Sequence, residues 1–151
     1  AQRIPHPAAR AWFPLECYKA DLAEDQLHGG RHDDHALREI KEAGIELTID
    51  DYRGAHASLL RLSTMARKIK IDLKFFPGVP ADPHACMVLS AVIQLARLLG
   101  LQVVAERVQT AAEADFVRDR CDAMQGFYYA EPMTSAEMTG WLASKRTGLV
   151  A

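Results

Sequence analysis

The sequence predicts an α/β fold: part of a TIM-like (β/α) barrel that contains the C-terminal strands and helices only. Segments patterned like strands alternate with segments of helical periodicity, which is typical of a parallel sheet covered by helices. Acidic or amide residues follow the ends of successive strands, and in a barrel such positions converge on one mouth. The 151 residues are fewer than the roughly 250 of a complete barrel, so about the last five strands are expected.

Residues 1–33 are interpreted as an irregular N-terminal segment followed by a loop. Prolines are frequent before Leu15, and no hydrophobic period is visible there. Residues 13–18 are compatible with a short strand. The polar stretch from Asp25 to Asp34 contains a glycine pair, which favours a loop. Regular β/α alternation is expected over residues 34–151.

The first regular units are assigned from capping residues and hydrophobic spacing. Asp34 can cap a helix that runs through Ala43 and ends at Gly44. Residues 45–49 alternate between apolar and polar side chains, which predicts a strand. A short helix is expected at residues 57–65. The next strand is expected at residues 68–72, followed by a turn through Phe75-Phe76-Pro77.

The longest predicted helix begins at Asp82-Pro83, because Asp can cap a helix and Pro suits its first position. Apolar residues keep helical spacing from there to Gly100, and residues 101–105 form the next predicted strand. The sequence Thr-Ala-Ala-Glu at residues 110–113 is a capping box, which predicts a helix to about Arg120.

The last predicted unit consists of a short strand at residues 123–125 and a helix that Thr134 opens. Trp141 and Leu142 are expected on the apolar face of that helix. A barrel of about five strands leaves two open sheet edges, and exposed edges need cover. Further residues, a second copy in a homodimer, or a partner domain are the alternatives for that cover.

Composition excludes several classes of partner. The net charge is −2 and no long basic run occurs, so no nucleic-acid polymer is expected as a ligand. The apolar stretch from Met87 to Ala105 is interrupted by polar residues and Gly100, which argues against membrane insertion. The three cysteines are widely spaced without a CxxC pair, which fits reduced thiols in the cytoplasm.

The strand ends carry the candidate site. The side chains at or just past these ends are Asp50, Asp51, Asp72, Glu106 and Gln125. No glycine-rich phosphate loop follows any strand, which disfavours a Rossmann or P-loop site. Carboxylates together with a lysine suit hard cations such as Mg²⁺ or Mn²⁺. Two such ions can hold a phosphodiester and activate a water molecule.

Four ordered segments resemble motifs of the EAL family of cyclic-di-GMP phosphodiesterases, over about residues 45–142. Residues 45–52 resemble the strand of that family that ends in Asp-Asp-Phe-Gly, and residues 70–72 match its Lys-Ile-Asp. Residues 103–110 resemble Val-Ala-Glu-Gly-Val-Glu-Thr, and residues 125–132 resemble the Gln-Gly-Tyr…Pro ending. More weakly, residues 15–19 are similar to Leu-Glu-Ile-Thr-Glu. The predicted fold is therefore a partial barrel of the EAL type.

The resemblance implies a role for each matching residue. Glu16 and Asp50 would bind metal, and Asp51 and Asp72 would complete or flank a second metal position. Lys70 would steady the phosphate or the attacking water, and Glu106 would be the metal-linked or general-base carboxylate. Gln125 would orient the ligand or water. The family reaction opens cyclic di-GMP to the linear dinucleotide with Mg²⁺ or Mn²⁺.

Departures from the family pattern leave alternatives open. The sequence contains no Glu-Ala-Leu signature, and Arg107 stands where the family has Gly. The chain is therefore interpreted as an impaired phosphodiesterase module or as a domain that binds cyclic di-GMP or a protein without hydrolysis. An unrelated (β/α) domain is the third alternative. Asp50-Asp51 can also be a capping turn, and Lys70 with Asp72 a plain ion pair.

Overall fold

A computed structural model describes residues 19–23, 31–52 and 59–146. Its five strands form one parallel sheet in which each strand pairs with the next along the chain. The strands are β1 (Lys19–Ala23), β2 (Glu46–Tyr52), β3 (Lys68–Asp72), β4 (Gln102–Glu106) and β5 (Ala123–Met124). The helices are α1 (Arg31–Glu42), α2 (Leu59–Met65), α3 (Pro83–Leu98), α4 (Ala111–Arg118) and α5 (Ser135–Arg146).

The strand order distinguishes a barrel segment from an open doubly wound sheet. A doubly wound sheet reverses its winding direction at one point, whereas the strands of a barrel follow one another in sequence. The order β1-β2-β3-β4-β5 is the barrel order. The sheet is not closed, because β1 and β5 each pair with only one other strand among the described residues. The predicted partial (β/α) barrel is confirmed.

Alternation along the strands sends apolar side chains to one face and polar side chains to the other. Ile49, Ile69, Ile71 and Val103 are fully buried in a core that Leu89 of α3 also enters. The opposite face carries ion pairs at two positions along the strands. Lys68 Nζ lies 3.1 Å from Glu46, and Lys70 Nζ lies 2.7 Å from Asp21. The core therefore lies between sheet and helices, and the other face of the sheet is polar.

Three predicted helix-end residues lie at helix ends, whereas Asp34, the predicted cap of α1, lies inside that helix. The Asp82 carboxylate accepts a hydrogen bond from the His84 backbone N–H at 2.9 Å, with Pro83 in the first turn of α3. Thr110 and Glu113 form the reciprocal capping box of α4. Gly44, which follows α1, has a φ of 82°, a left-handed conformation that glycine adopts without strain. These three predictions are confirmed.

We expect Thr110→Ala to lower the free energy of unfolding by about 1 kcal/mol, because the Glu113 backbone N–H loses its acceptor. Thr110→Ser keeps a hydroxyl in place and should stay within about 0.5 kcal/mol of the wild type. Urea denaturation followed by circular dichroism measures both variants. An unchanged midpoint for Thr110→Ala would show that the box contributes nothing to stability.

The structure differs from the sequence interpretation near the N-terminus. β1 at Lys19–Ala23 and the start of α1 at Arg31 lie in residues 1–33, where an irregular segment and a loop were expected. β1 pairs with β2 along its whole length, and its Ala20 and Leu22 pack against the core. Pairing with a distant strand therefore fixes a segment with little local pattern. Residues 13–18 and 25–30 lie outside the described part of the chain.

One strand is longer than expected, and the last helix is less covered than expected. β2 continues past Ile49 to Tyr52, because Tyr52 is buried and pairs with Ile71 of β3. In α5 the Leu142 side chain is half exposed, so the predicted apolar face of this helix is only partly covered. Within residues 19–23, 31–52 and 59–146, no helix is long and apolar enough to cross a membrane.

Candidate functional site

Three carboxylates from two strands meet at the carboxyl edge of the sheet. Asp50 and Asp51 lie near the end of β2 and Glu106 ends β4, and one oxygen atom of each lies within 4.8 Å of the others. Neighbouring strand residues normally point to opposite faces. Here the β2–β3 register shifts between Ile49 and Tyr52, and Asp51 has a φ of 52°. This bulge brings both aspartates into one cluster.

Lys70 is the cation beside this cluster. Its Nζ lies 2.7 Å from Asp21, 3.3 Å from Asp50 and 3.7 Å from Glu106. Burial favours the neutral amine, but the hydrogen bond to Asp21 and the charges of Asp50 and Glu106 outweigh it and raise the pKa of Lys70. The amine therefore stays protonated and supplies a fixed positive charge between the carboxylates.

Glu106 is the most buried carboxylate of the cluster, with 8% of its surface exposed. Burial raises the pKa of Glu106, Lys70 opposes that shift, and the charges of Asp50 and Asp51 add to it. Its Oε1 accepts a hydrogen bond from Nε2 of Gln125, which follows β5. Gln125 therefore positions Glu106, in addition to lining the site.

Asp72 lies beside the cluster and is paired differently. It is fully buried, and its Oδ2 lies 2.8 Å from Lys74 Nζ and 2.7 Å from Arg107 Nε. Its Oδ1 accepts the Lys74 backbone N–H at 2.9 Å, which caps the 3-10 turn Leu73–Phe75. The resemblance implied that Asp72 completes or flanks a second metal position, and that role stays a prediction. Asp72 lies between two cations and is not among the three clustered carboxylates.

The cluster opens into a cavity of about 750 Å³. Asp50, Asp51 and Glu106 line it. Gln125, Phe127 and Glu131, from the segment after β5, line it as well. A second cavity of about 600 Å³ lies over the polar face of the sheet and contains Lys70 and Asp21, and Gln125 lines both cavities. Lys70 therefore reaches the carboxylates from the adjoining cavity.

Most of the predicted site residues are brought together. Asp50, Asp51, Lys70, Glu106 and Gln125 form one connected network, whereas Glu16 lies outside the described residues. The sequence interpretation missed two contributors, Asp21 and Lys74, and named Arg107 only as a departure from the family pattern. Asp21 is placed by the pairing of β1 with β2, for which the local sequence carries little signal. No sequence signal indicated Lys74, apart from its position two residues after Asp72.

The chain is similar to known proteins over most of its length. The sequence model of the EAL domain family matches residues 8–132. The signaling protein YkoW of Bacillus subtilis is 33% identical over 124 residues, covering 80% of this chain and 16% of its own length. The bifunctional diguanylate cyclase/cyclic di-GMP phosphodiesterase MucR of Pseudomonas aeruginosa is 33% identical over 109 residues, covering 71% of this chain and 16% of its own length.

Two solved structures share the fold of this chain and resemble it to a similar degree. A MucR phosphodiesterase in complex with cyclic di-GMP has a TM-score of 0.72 at 28% identity, covering 83% of this chain and 52% of that one. The EAL domain of Mycobacterium smegmatis DcpA has a TM-score of 0.71 at 29% identity, covering 83% and 58%. The chain thus spans about half of these solved chains and about a sixth of the curated relatives it matches.

Proposed function

The chain belongs to the EAL domain family, and from that premise we propose that its cavity binds cyclic di-GMP beside a divalent cation. Asp50, Asp51 and Glu106 would hold the cation, Mg²⁺ or Mn²⁺. The observation that carries this proposal is the meeting of three carboxylates, from β2 and β4, within 4.8 Å at the cavity wall. The relative MucR is named for action on cyclic di-GMP, and its phosphodiesterase has been solved with that nucleotide.

The donor set fits a hard cation. Carboxylate oxygens are the preferred ligands of Mg²⁺ and Mn²⁺, and the described residues place no thiol or imidazole in the cluster. Three like charges at this distance repel one another, and Lys70 offsets only part of that repulsion. When bound, a divalent cation polarises a phosphoryl oxygen and lowers the pKa of bound water. That chemistry matches hydrolysis of a phosphodiester.

The side chains around the cluster would position the ligand. Lys70 stays protonated and holds the Asp50 and Glu106 carboxylates in place, so it acts as a fixed charge and does not accept protons. Gln125 fixes Glu106 by its amide N–H. Phe127 is 63% exposed at the cavity wall and offers a ring on which a guanine base can stack. The volume of about 750 Å³ lies within the usual range of small-molecule sites, roughly 300–1,000 Å³.

The bound nucleotide is either hydrolysed, which is the first candidate, or held without efficient hydrolysis, which is the second, and the pairing of Asp72 favours the second. Two-metal hydrolysis needs ligands for a second ion. Among the described residues Asp72 is engaged by Lys74 and Arg107, and only one cluster of three carboxylates is found. We therefore expect slow turnover by this chain, with binding as its main activity.

One paired assay separates the two candidates. The chain is titrated with cyclic di-GMP in Mn²⁺ and in EDTA by calorimetry, and the same samples are analysed for linear dinucleotide by chromatography. We expect binding that requires Mn²⁺, with little product. Rapid product formation would support the enzyme and contradict slow turnover. Absence of binding at millimolar nucleotide in Mn²⁺ would overturn the proposed function.

The open edges of the sheet need cover in solution. The strands β1 and β5 lie at those edges, and edge strands present unpaired backbone groups. We propose that further residues of a longer protein, a second copy or a partner domain covers them. Sedimentation of the chain with and without cyclic di-GMP distinguishes a homodimer from a monomer.

A further inference from the structure

Arg107 lies in a backbone conformation that arginine rarely adopts. Its φ is 58°, and Asp51 is the other non-glycine residue with a positive φ in the part of the chain that the structure describes. Both residues line the same cavity. Strained backbone concentrates at functional sites, so the position of this side chain invites a functional explanation.

The Arg107 side chain forms an ion pair with a buried carboxylate. Its Nε lies 2.7 Å from Oδ2 of the fully buried Asp72, but its N–H does not point at that oxygen in hydrogen-bond geometry. Guanidinium carries further N–H donors on its two Nη atoms. The Arg107 side chain is 57% exposed and lines the cavity. The ion pair therefore holds the guanidinium near Asp72 while much of the side chain stays accessible.

The charges around Asp72 leave Arg107 available to an anion. Lys74 Nζ lies 2.8 Å from the same Oδ2, so one carboxylate serves two cations. Lys74 and Arg107 together carry more positive charge than the single carboxylate of Asp72 can neutralise. Lys74 has a second carboxylate, Asp51, at 3.9 Å, whereas Asp72 is the single carboxylate recorded beside Arg107 among the described residues.

Arg107 is also the one cation among the described residues that line the large cavity. The same wall carries Asp50, Asp51, Glu106 and Glu131, which would repel a phosphodiester. Guanidinium binds phosphate oxygens through paired N–H donors, and a pre-anchored one loses less side-chain freedom on binding. Arg107 is therefore the positively charged side chain that an anionic ligand in this cavity would contact.

We propose that Arg107 is a phosphate-binding residue, whose Nη groups contact a non-bridging oxygen of the phosphodiester while Asp72 holds Nε. This inference rests on the proposed function, since the phosphodiester is that of cyclic di-GMP. Asp72 and Lys74 are then positioning residues. Asp72 orients the guanidinium. Lys74 also pairs with Asp72, so Asp72 neutralises less of the positive charge of Arg107. The buried carboxylate serves an organic cation in this chain.

Arg107→Gln tests the contact, and Arg118→Gln is the matched control. Arg118 is as exposed as Arg107, pairs with Asp115 within α4 and does not line the cavity. In Mn²⁺ we expect Arg107→Gln to weaken cyclic di-GMP binding at least about tenfold, as expected for a lost charged contact. Arg118→Gln should bind within twofold of the wild type, and Arg107→Lys should recover part of the loss.

Binding of Mn²⁺ without nucleotide separates a phosphate contact from a structural role. Arg107→Gly removes the charge and relieves the left-handed backbone. We expect it to keep or raise the affinity for Mn²⁺ and the melting temperature, while its affinity for cyclic di-GMP falls. A parallel fall of Mn²⁺ affinity, melting temperature and nucleotide affinity would indicate a structural role and overturn the inference.

The remaining outcomes distinguish this inference from the function on which it rests. If the wild type binds cyclic di-GMP and Arg107→Gln binds it within twofold, the inference on Arg107 fails and the proposed function stands. If the wild type does not bind cyclic di-GMP in Mn²⁺, the proposed function and the inference fail together.

Discussion

Replacing Glu106 by Gln is expected to weaken Mn²⁺ binding by about 100-fold or more. Loss of groups that merely orient metal ligands costs about 10- to 100-fold in affinity, and Glu106 would itself be a ligand. The substitution keeps the shape of the side chain and an oxygen that can accept the Gln125 N–H. It also removes a buried charge whose pKa burial raises, so the fold should be at least as stable as the wild type.

Glu131→Gln is the matched control for this variant. Glu131 lines the same cavity, but it lies outside the three-carboxylate cluster. Calorimetric titration with Mn²⁺ should give a dissociation constant within about threefold of the wild type for Glu131→Gln, since only a screened surface charge is lost. Equal weakening in both variants would mean that Mn²⁺ responds to the general charge of the cavity, which contradicts a cluster-specific site.

Gly126→Ala is expected to lower the free energy of unfolding by about 3 kcal/mol or more, at the upper end of overpacking effects. A Cβ at Gly126 would stand 2.8 Å from the Val108 carbonyl carbon and closer still to the Val108 backbone nitrogen and oxygen. These backbone atoms are held in place, because Val108 N–H donates to Gln125 C=O and Tyr128 N–H donates to Val108 C=O, both at 3.1 Å. The φ of 156° at Gly126 adds to the strain.

The same substitution at Gly140 is the control. Gly140 lies within α5, and a Cβ there meets nothing within 4 Å. Gly140→Ala should therefore be neutral or stabilise by up to about 1 kcal/mol, because alanine favours helix. Denaturant unfolding of both variants gives the comparison. A Gly126→Ala protein as stable as the wild type would show that the Val108 and Gln125 segments can separate without cost.

Local signals in the sequence were sufficient for much of the fold. The capping residues Asp82 and Thr110 and the glycine after α1 each act within a few residues, so their effects can be seen without tertiary information. The side chains at the ends of β2 and β4 could also be grouped, because parallel strands deliver their carboxyl ends to one edge. This geometry explains why Asp50 and Glu106 were predicted to meet.

The remaining features depend on contacts between distant segments. β1 has little local pattern and is held by pairing with β2, so Asp21 was not foreseen beside Lys70. The bulge that turns Asp51 toward Asp50 arises from a register shift against β3, which a single strand's alternation does not reveal. The resemblance grouped Asp72 with the metal positions, and no local pattern indicated that Lys74 and Arg107 are its ion-pair partners.

The position of a bound cation shows whether Asp50, Asp51 and Glu106 form a metal site. Crystals of the chain grown with Mn²⁺ and cyclic di-GMP, measured at the manganese absorption edge, locate the ion by its anomalous scattering. We expect a peak about 2.2 Å from carboxylate oxygens of Asp50, Asp51 and Glu106, a usual metal–oxygen distance, with a phosphate oxygen as a further ligand. A fully occupied manganese site elsewhere, with those three carboxylates free of metal, would contradict this expectation.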